Sequence, residues 1–168
     1  MTRVPPVPEP GEFEEKARKP GLAWLQAHPD AKRPRDCWSP FREDLAEGFR
    51  DRCGYSAMLD LCGSVDHYLS CRDNRELAYD WDNYRYASEW INKSKQNLDE
   101  QVLDPYGVED GWFAVILPSL QLVLTDNVPP EHQDRAAYTI KRLHLDHGPR
   151  ILRQRRAWLR KYREGKLT

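Results

Sequence analysis

Residues 52–95, RCGYSAMLDLCGSVDHYLSCRDNRELAYDWDNYRYASEWINKSK, decide how this chain is read. Val65-Asp66-His67-Tyr68 sets an acid beside a histidine, Asp80-Trp81-Asp82-Asn83 follows, and Asn92 and Lys95 close the segment on a predicted helix. An isolated acid–histidine pair is commonplace in globular proteins. The ordered set of Asp66, His67, Asn83, Asn92 and Lys95 carries far more information than any one member.

That order resembles the HNH nucleases, the ββα-metal superfamily, over about a quarter of the chain. Their pattern is an acid–His pair at a strand end, a central Asn in a W-x-N loop, and a helical His or Asn followed by Lys. The resemblance implies that His67 is the general base, that Asp66 and Asn92 hold the metal, and that Asn83 fixes the loop and orients the His67 ring. Phosphodiester hydrolysis needs a cation at the crowded phosphorus and an imidazole to take a proton from water. Oxygen ligands such as Asp66 and Asn92 suit Mg²⁺ or Mn²⁺ better than a soft ion.

Many relatives brace this fold with a zinc knuckle of two C-x-x-C pairs. Here the first pair reads Cys53-Gly54-Tyr55-Ser56 and the second Ser88-Glu89-Trp90-Ile91, so three of the four thiolates are missing. A structural zinc needs four ligands. The expectation is therefore no structural zinc, with Tyr55, Trp90 and Ile91 packing in its place.

Length and composition fit one decorated domain of 168 residues, rich in aromatics, with a formal net charge of −1 that says nothing about partners. Four cysteines without regular spacing predict free thiols and a cytoplasmic protein, and no apolar run reaches membrane-spanning length.

The predicted fold class is α+β: a ββα-metal core with flanking helices and a C-terminal β-hairpin plus basic helix. Residues 1–36 read as an extended proline-rich arm and short helices, 37–100 as the HNH-like core, and 101–168 as the hairpin and basic helical extension. Pro5, Pro6, Pro8 and Pro10 make the first residues extended, either packed on the domain or free as a tail. Residues 12–28 read as two helical pieces parted at Pro20-Gly21, with Trp24 and Leu25 as core anchors. Residues 29–34 form a polar loop with Lys32 and Arg33. Residues 38–52 read as a helix with Ser39 as N-cap and Phe41, Leu45 and Phe49 on one face. Strands are expected at 55–61 and 65–69, turning at Gly63-Ser64, and the helix at 84–95.

On that helix Arg85, Lys93 and Lys95 are expected to face phosphate, against the plainer reading of a solvated surface. After an apolar hairpin at 111–125 and a helix at 131–143 comes the final helix, 150–163. Its Arg153, Arg156 and Arg160 read equally as a nucleic-acid surface or as a solvated or acid-docking face. His144, Asp146 and His147 sit in a helix-breaking loop, where surface placement is the ordinary outcome.

The hairpin, Thr-Ile-x-Arg-Leu helix and Arg-rich tail look like those of HNH proteins found beside ATPases in bacterial anti-phage systems of the Septu and retron type. This weaker similarity implies an ATPase partner and antiviral defence. The expected function is metal-dependent endonuclease action on nucleic acid, DNA foremost. The competing reading is an inactive HNH-like module that binds nucleic acid or protein.

Overall fold

The computed structural model describes residues 1–72 and 74–166. Its fold is α+β. Strand β1 (Ser64–His67) pairs antiparallel with β2 (Tyr84–Ala87), setting Asp66 opposite Arg85 and His67 opposite Tyr84. Ser88 then leads into a seven-residue helix, Glu89–Lys95.

This layout corrects the expected strands. Residues 55–61 are not the partner of β1. Cys53 N donates to Met58 O (3.0 Å) and Ala57 N to Cys53 O (2.8 Å), closing a turn that is joined by an isolated bridge between Arg52 and Leu59. Nor does the helix begin at residue 84. Tyr84-Arg85-Tyr86-Ala87 follows a period of two: Tyr84 and Tyr86 enter an aromatic cluster with Phe13 and Trp81, while Arg85 crosses to the opposite face. Aromatic residues on alternate positions favour a pleated surface, and here they outweigh the helical spacing of Trp90 and Ile91 further on.

Before the sheet, a π-helical turn (Glu14–Arg18) runs directly into α1 (Lys19–Ala27), so there is no break at Pro20-Gly21. Proline lacks an amide hydrogen and crowds the carbonyl four residues back, and the wider turn ahead of it accommodates both. Gly21 lies against the Tyr79 ring, where any Cβ would overlap aromatic carbons. Helix α2 (Arg42–Gly48) follows a 3-10 turn, Ser39–Phe41. Ser39 does not cap it; its amide and hydroxyl instead donate to Asp36 at 2.9 and 2.6 Å. The helix Glu89–Lys95 is α3.

Phe41, Leu45 and Phe49 do share a face, buried with Phe13, Trp81, Tyr84 and the arm residues Val4 and Val7. The arm therefore packs on the domain, fastened by Trp81 Nε1 donating to Val7 O at 2.8 Å. A second core joins Cys53, Tyr55 and Ile91 to Leu122, Ile140 and Leu143, with Trp90 packed against it. It draws on the hairpin β3 (Phe113–Ile116) and β4 (Gln121–Leu124) and on α4 (Pro130–Arg142). The last helix, α5, spans Pro149–Arg163. Among the described residues no helix is long and apolar enough to cross a membrane.

Candidate functional site

Asp66, His67 and Asn92 line one cleft of about 390 Å³, together with Trp38, Ser70, Cys71, Gln96 and three cations, Lys32, Arg33 and Arg72. Strand pairing and the helix that follows bring them together: β1 carries the acid and imidazole, and α3 lays Asn92 across the start of β1. Asn92 Nδ2 donates to Val65 O and to Ser64 Oγ, each at 3.1 Å. Because the amide is planar, this turns Oδ1 the other way, with no partner among the described residues.

The His67 ring is set by three neighbours. Its Nε2 lies 3.2 Å from Ala78 O, Trp38 meets it edge-on at 4.6 Å, and Tyr84 does so at 5.1 Å. A carbonyl can only accept, so Nε2 carries the proton and a neutral ring keeps its lone pair on Nδ1. Burial is the main reason that the imidazole's pKa lies below the ordinary histidine value, outweighing the Ala78 hydrogen bond that works the other way. At neutral pH this ring is an unprotonated base.

Asn83 does not orient that ring, as the sequence had suggested. Its Oδ1 accepts from Leu69 N at 2.7 Å, and its Nδ2 donates to Leu69 O (2.9 Å) and Leu77 O (3.1 Å). These bonds staple the two ends of the β1–β2 connection. The ring is oriented one residue beyond, by Ala78, so Asn83 reaches His67 only through the backbone it pins.

Asp66 is 2% exposed, and both its oxygens are engaged. Oδ2 accepts from the Tyr55 hydroxyl at 2.6 Å, and Oδ1 lies 3.2 Å from Lys95 Nζ. Burial and the neighbouring carboxylate push the Tyr55 pKa well up, so the phenol stays a donor. A carboxylate offers about four lone-pair positions, so each oxygen keeps one more. One carboxylate, one amide oxygen and water make a donor set suited to Mg²⁺ or Mn²⁺, which retain water ligands and need few carboxylates. Among the described residues no three His, Cys, Asp or Glu side chains converge as a metal-binding group.

Two expected phosphate contacts are corrected. Lys95 is fully buried, bonded to Asp66, to His67 O (3.0 Å) and to Tyr68 O (2.9 Å). Arg85 is buried against Asp104 through Nε–Oδ1 (2.6 Å) and Nη2–Oδ2 (2.7 Å), with its guanidinium 3.7 Å from the Tyr106 ring centre. Neither can reach a ligand, because the same alternation that buries Tyr84 and Tyr86 turns Arg85 toward Asp104. Lys93 is exposed but paired with Glu89 at 2.7 Å, while Arg153, Arg156 and Arg160 are exposed on α5.

The cations that do line the cleft come from two loops. Lys32, Arg33 and Arg72 are exposed, and none is in an ion pair among the described residues. A Lys-Arg step between Pro29 and Pro34 was the available signal, yet only the fold brings that loop beside β1. Cys71 also lines the cleft, but burial pushes its thiol up to about 12, so it is no nucleophile at neutral pH.

The sequence matches no model of a known protein family, and comparison with curated proteins gives no significant match.

Proposed function

We propose that this chain is a metal-dependent endonuclease of the HNH, ββα-metal type, hydrolysing phosphodiester bonds of nucleic acid, DNA foremost. The observation that carries this reading is the His67 ring. Its Nε2 is committed to Ala78 O, which leaves Nδ1 as the acceptor of a ring that lines one cleft with Asp66, Asn92 and three cations. In this reading Nδ1 takes a proton from water, the water oxygen forms a bond to phosphorus, and the opposite P–O bond breaks. The departing alkoxide takes its proton from solvent. Asp66 and Asn92 would hold a Mg²⁺ or Mn²⁺ ion, which supplies positive charge to the phosphate oxygens as negative charge builds there. Lys32, Arg33 and Arg72 would neutralise flanking phosphates, with Arg153 and Arg160 of α5, away from the cleft, as a second candidate contact. Gating by an ATPase partner in anti-phage defence belongs to this proposal only through the resemblance of the hairpin, the Thr-Ile-x-Arg-Leu helix and the Arg-rich tail.

Purified protein incubated with supercoiled plasmid, or with a single-stranded RNA, and Mg²⁺ or Mn²⁺ tests the reading. Metal-dependent cleavage that drops by about 10²-fold or more in His67→Ala is the expected result; equal cleavage by both proteins would remove His67 from the chemistry.

One observation favours the alternative of an inactive binding module: Lys95 already neutralises Asp66, as an ion would. Under that reading a calorimetric titration with Mn²⁺ gives no heat, and His67→Ala leaves nucleic-acid affinity unchanged.

A further inference from the structure

Away from the cleft, the β3–β4 hairpin and α5 enclose a groove of about 520 Å³. Val115, Leu117 and Leu120 form one wall, and Trp158, Leu159 and Tyr162 form the other. Several of these are strongly exposed, Leu117 at 61% and Tyr162 at 64%. Large apolar side chains gathered at one place, rather than scattered, mark a surface made to be covered.

Charge says what covers it. Residues 113–124 contain no charged side chain, whereas Pro149–Arg163 contains seven cations and no acid. At helical spacing Ile151, Arg155, Trp158, Leu159 and Tyr162 fall on one face of α5, with Arg156 and Arg163 along one border and Lys161 along the other. Arg52 closes the end of the groove.

Arg155 gives an independent sign. It lines the groove while only 6% exposed, and its Nη1 donates to Leu120 O (2.9 Å) and Asp146 O (3.5 Å). No carboxylate lies within ion-pair distance of it among the described residues; the Asp146 carboxylate acts on it only from further off, with Oδ2 bonded to His147 Nδ1 at 2.6 Å. A buried guanidinium whose hydrogen bonds go only to carbonyls can still take a directly paired anion.

We propose that this groove docks an acidic amphipathic segment of a partner protein. Its apolar side chains fill the space between hairpin and helix, and its carboxylates meet Arg155 and the cations on the borders. Basic segments are repelled by α5, and nucleic acid offers no apolar row to cover Val115, Leu117 and Tyr162. The inference is independent of the chemistry in the cleft.

Panning the full-length chain against a phage-displayed random peptide library, then measuring the enriched peptides by fluorescence anisotropy, tests it. The expected sequences combine large apolar residues at i, i+3 or i+4 with a surplus of Asp and Glu. Their affinity should fall by about tenfold or more in Leu117→Glu and in the double variant Arg156→Glu/Arg163→Glu, with circular dichroism unchanged. Enrichment of neutral or basic peptides, no enrichment, or full affinity in Leu117→Glu would overturn the proposal. So would a dimer in sedimentation that Leu117→Glu abolishes, which would make the occupant a second copy. A single-stranded oligonucleotide whose binding collapses in Leu117→Glu would equally reassign the groove to nucleic acid.

Discussion

Lys95 Nζ lies 3.2 Å from Asp66 Oδ1 with both side chains buried, so the last residue of α3 is tied to the strand that carries His67. The ammonium has three donors, and it finds three acceptors in Asp66, His67 O and Tyr68 O. It therefore locks β1 and α3 in the register that places Asp66 and Asn92 in one cleft. Lys95→Met, close in shape but without charge, is expected to destabilise the fold by about 3–5 kcal/mol, because the Asp66 carboxylate is left buried without its partner. Urea denaturation measures this. A loss below about 1 kcal/mol, the range of an exposed pair, would mean that the ammonium is not buried as described.

In the nuclease reading His67 links activity and stability to pH in the same direction, since both depend on the neutral ring. Its pKa lies below the ordinary value of about 6.5, chiefly because burial disfavours the cation. A general base must be neutral, so kcat/KM should rise with pH through a point below that value and level off by neutrality. For stability, the unfolded ring binds a proton near pH 6.5 while the folded ring resists until lower pH. Between those two points the unfolded state holds more protons, so stability falls as pH drops through that window and is intact above it. His67→Gln should flatten that part of the acid limb, read as Tm against pH. An unchanged acid limb would show that the ring titrates normally.

The arginines and lysines separate into two kinds, and salt dependence distinguishes them. Lys32, Arg33 and Arg72 line the cleft without ion-pair partners among the described residues, so in the nuclease reading each phosphate they neutralise should contribute to counterion release. Replacing any one by Ala is expected to reduce the slope of log affinity against log salt by about 1 for duplex DNA, with little change in stability. Slopes unchanged in all three variants would move the nucleic-acid contact elsewhere, α5 being the next candidate.

What the sequence could convey divides along the same line. That Asp66, His67 and Asn92 belong together was legible only through the order of residues that carries the resemblance, and the fold brings the three to one cleft; the hairpin at 113–124 was legible because an uncharged run broken by Pro118 has few other uses. The sheet partner was not legible: Tyr84 and Tyr86 read as the front of a helix until Phe13 and Trp81, far away in the chain, provide the aromatic surface that they pack against. The fate of a cation was least visible of all. Arg85 and Arg72 look alike in the sequence, and only the position of Asp104 makes one structural and leaves the other at the cleft.

Arg85 and Asp104 form a two-pronged pair that holds β2 to the loop before the 3-10 turn Pro105–Gly107. The remaining guanidinium nitrogen donates to Asp82 O and Tyr84 O at 2.6 and 2.7 Å. Asp104→Ala leaves this charge buried beside Tyr106 and is expected to cost about 3–5 kcal/mol. Arg85→Lys should cost nearly as much, since a point charge cannot reproduce the planar fork. Thermal denaturation of the two variants and their double mutant measures the coupling; additive losses would show that the pair contributes nothing jointly.

Asn83 tests whether a positioning residue can be told from a catalytic one. Its amide makes three bonds, to Leu69 N, Leu69 O and Leu77 O, and none to His67. Asn83→Ala should cost about 3 kcal/mol at roughly 1 kcal/mol per bond, and loosen the segment that presents Ala78 O to the ring. Asn83→Asp is nearly the same shape, yet it should be at least as damaging. Its carboxylate keeps the bond from Leu69 N but turns two hydrogen bonds into repulsions from the carbonyls of Leu69 and Leu77. In the nuclease reading both variants lower kcat with little change in KM, because substrate phosphates are held by other residues, and the pH midpoint should rise as the loosened ring gains access to water. A kcat loss with no shift in that midpoint would indicate that Asn83 acts on the fold alone and not through the placement of His67.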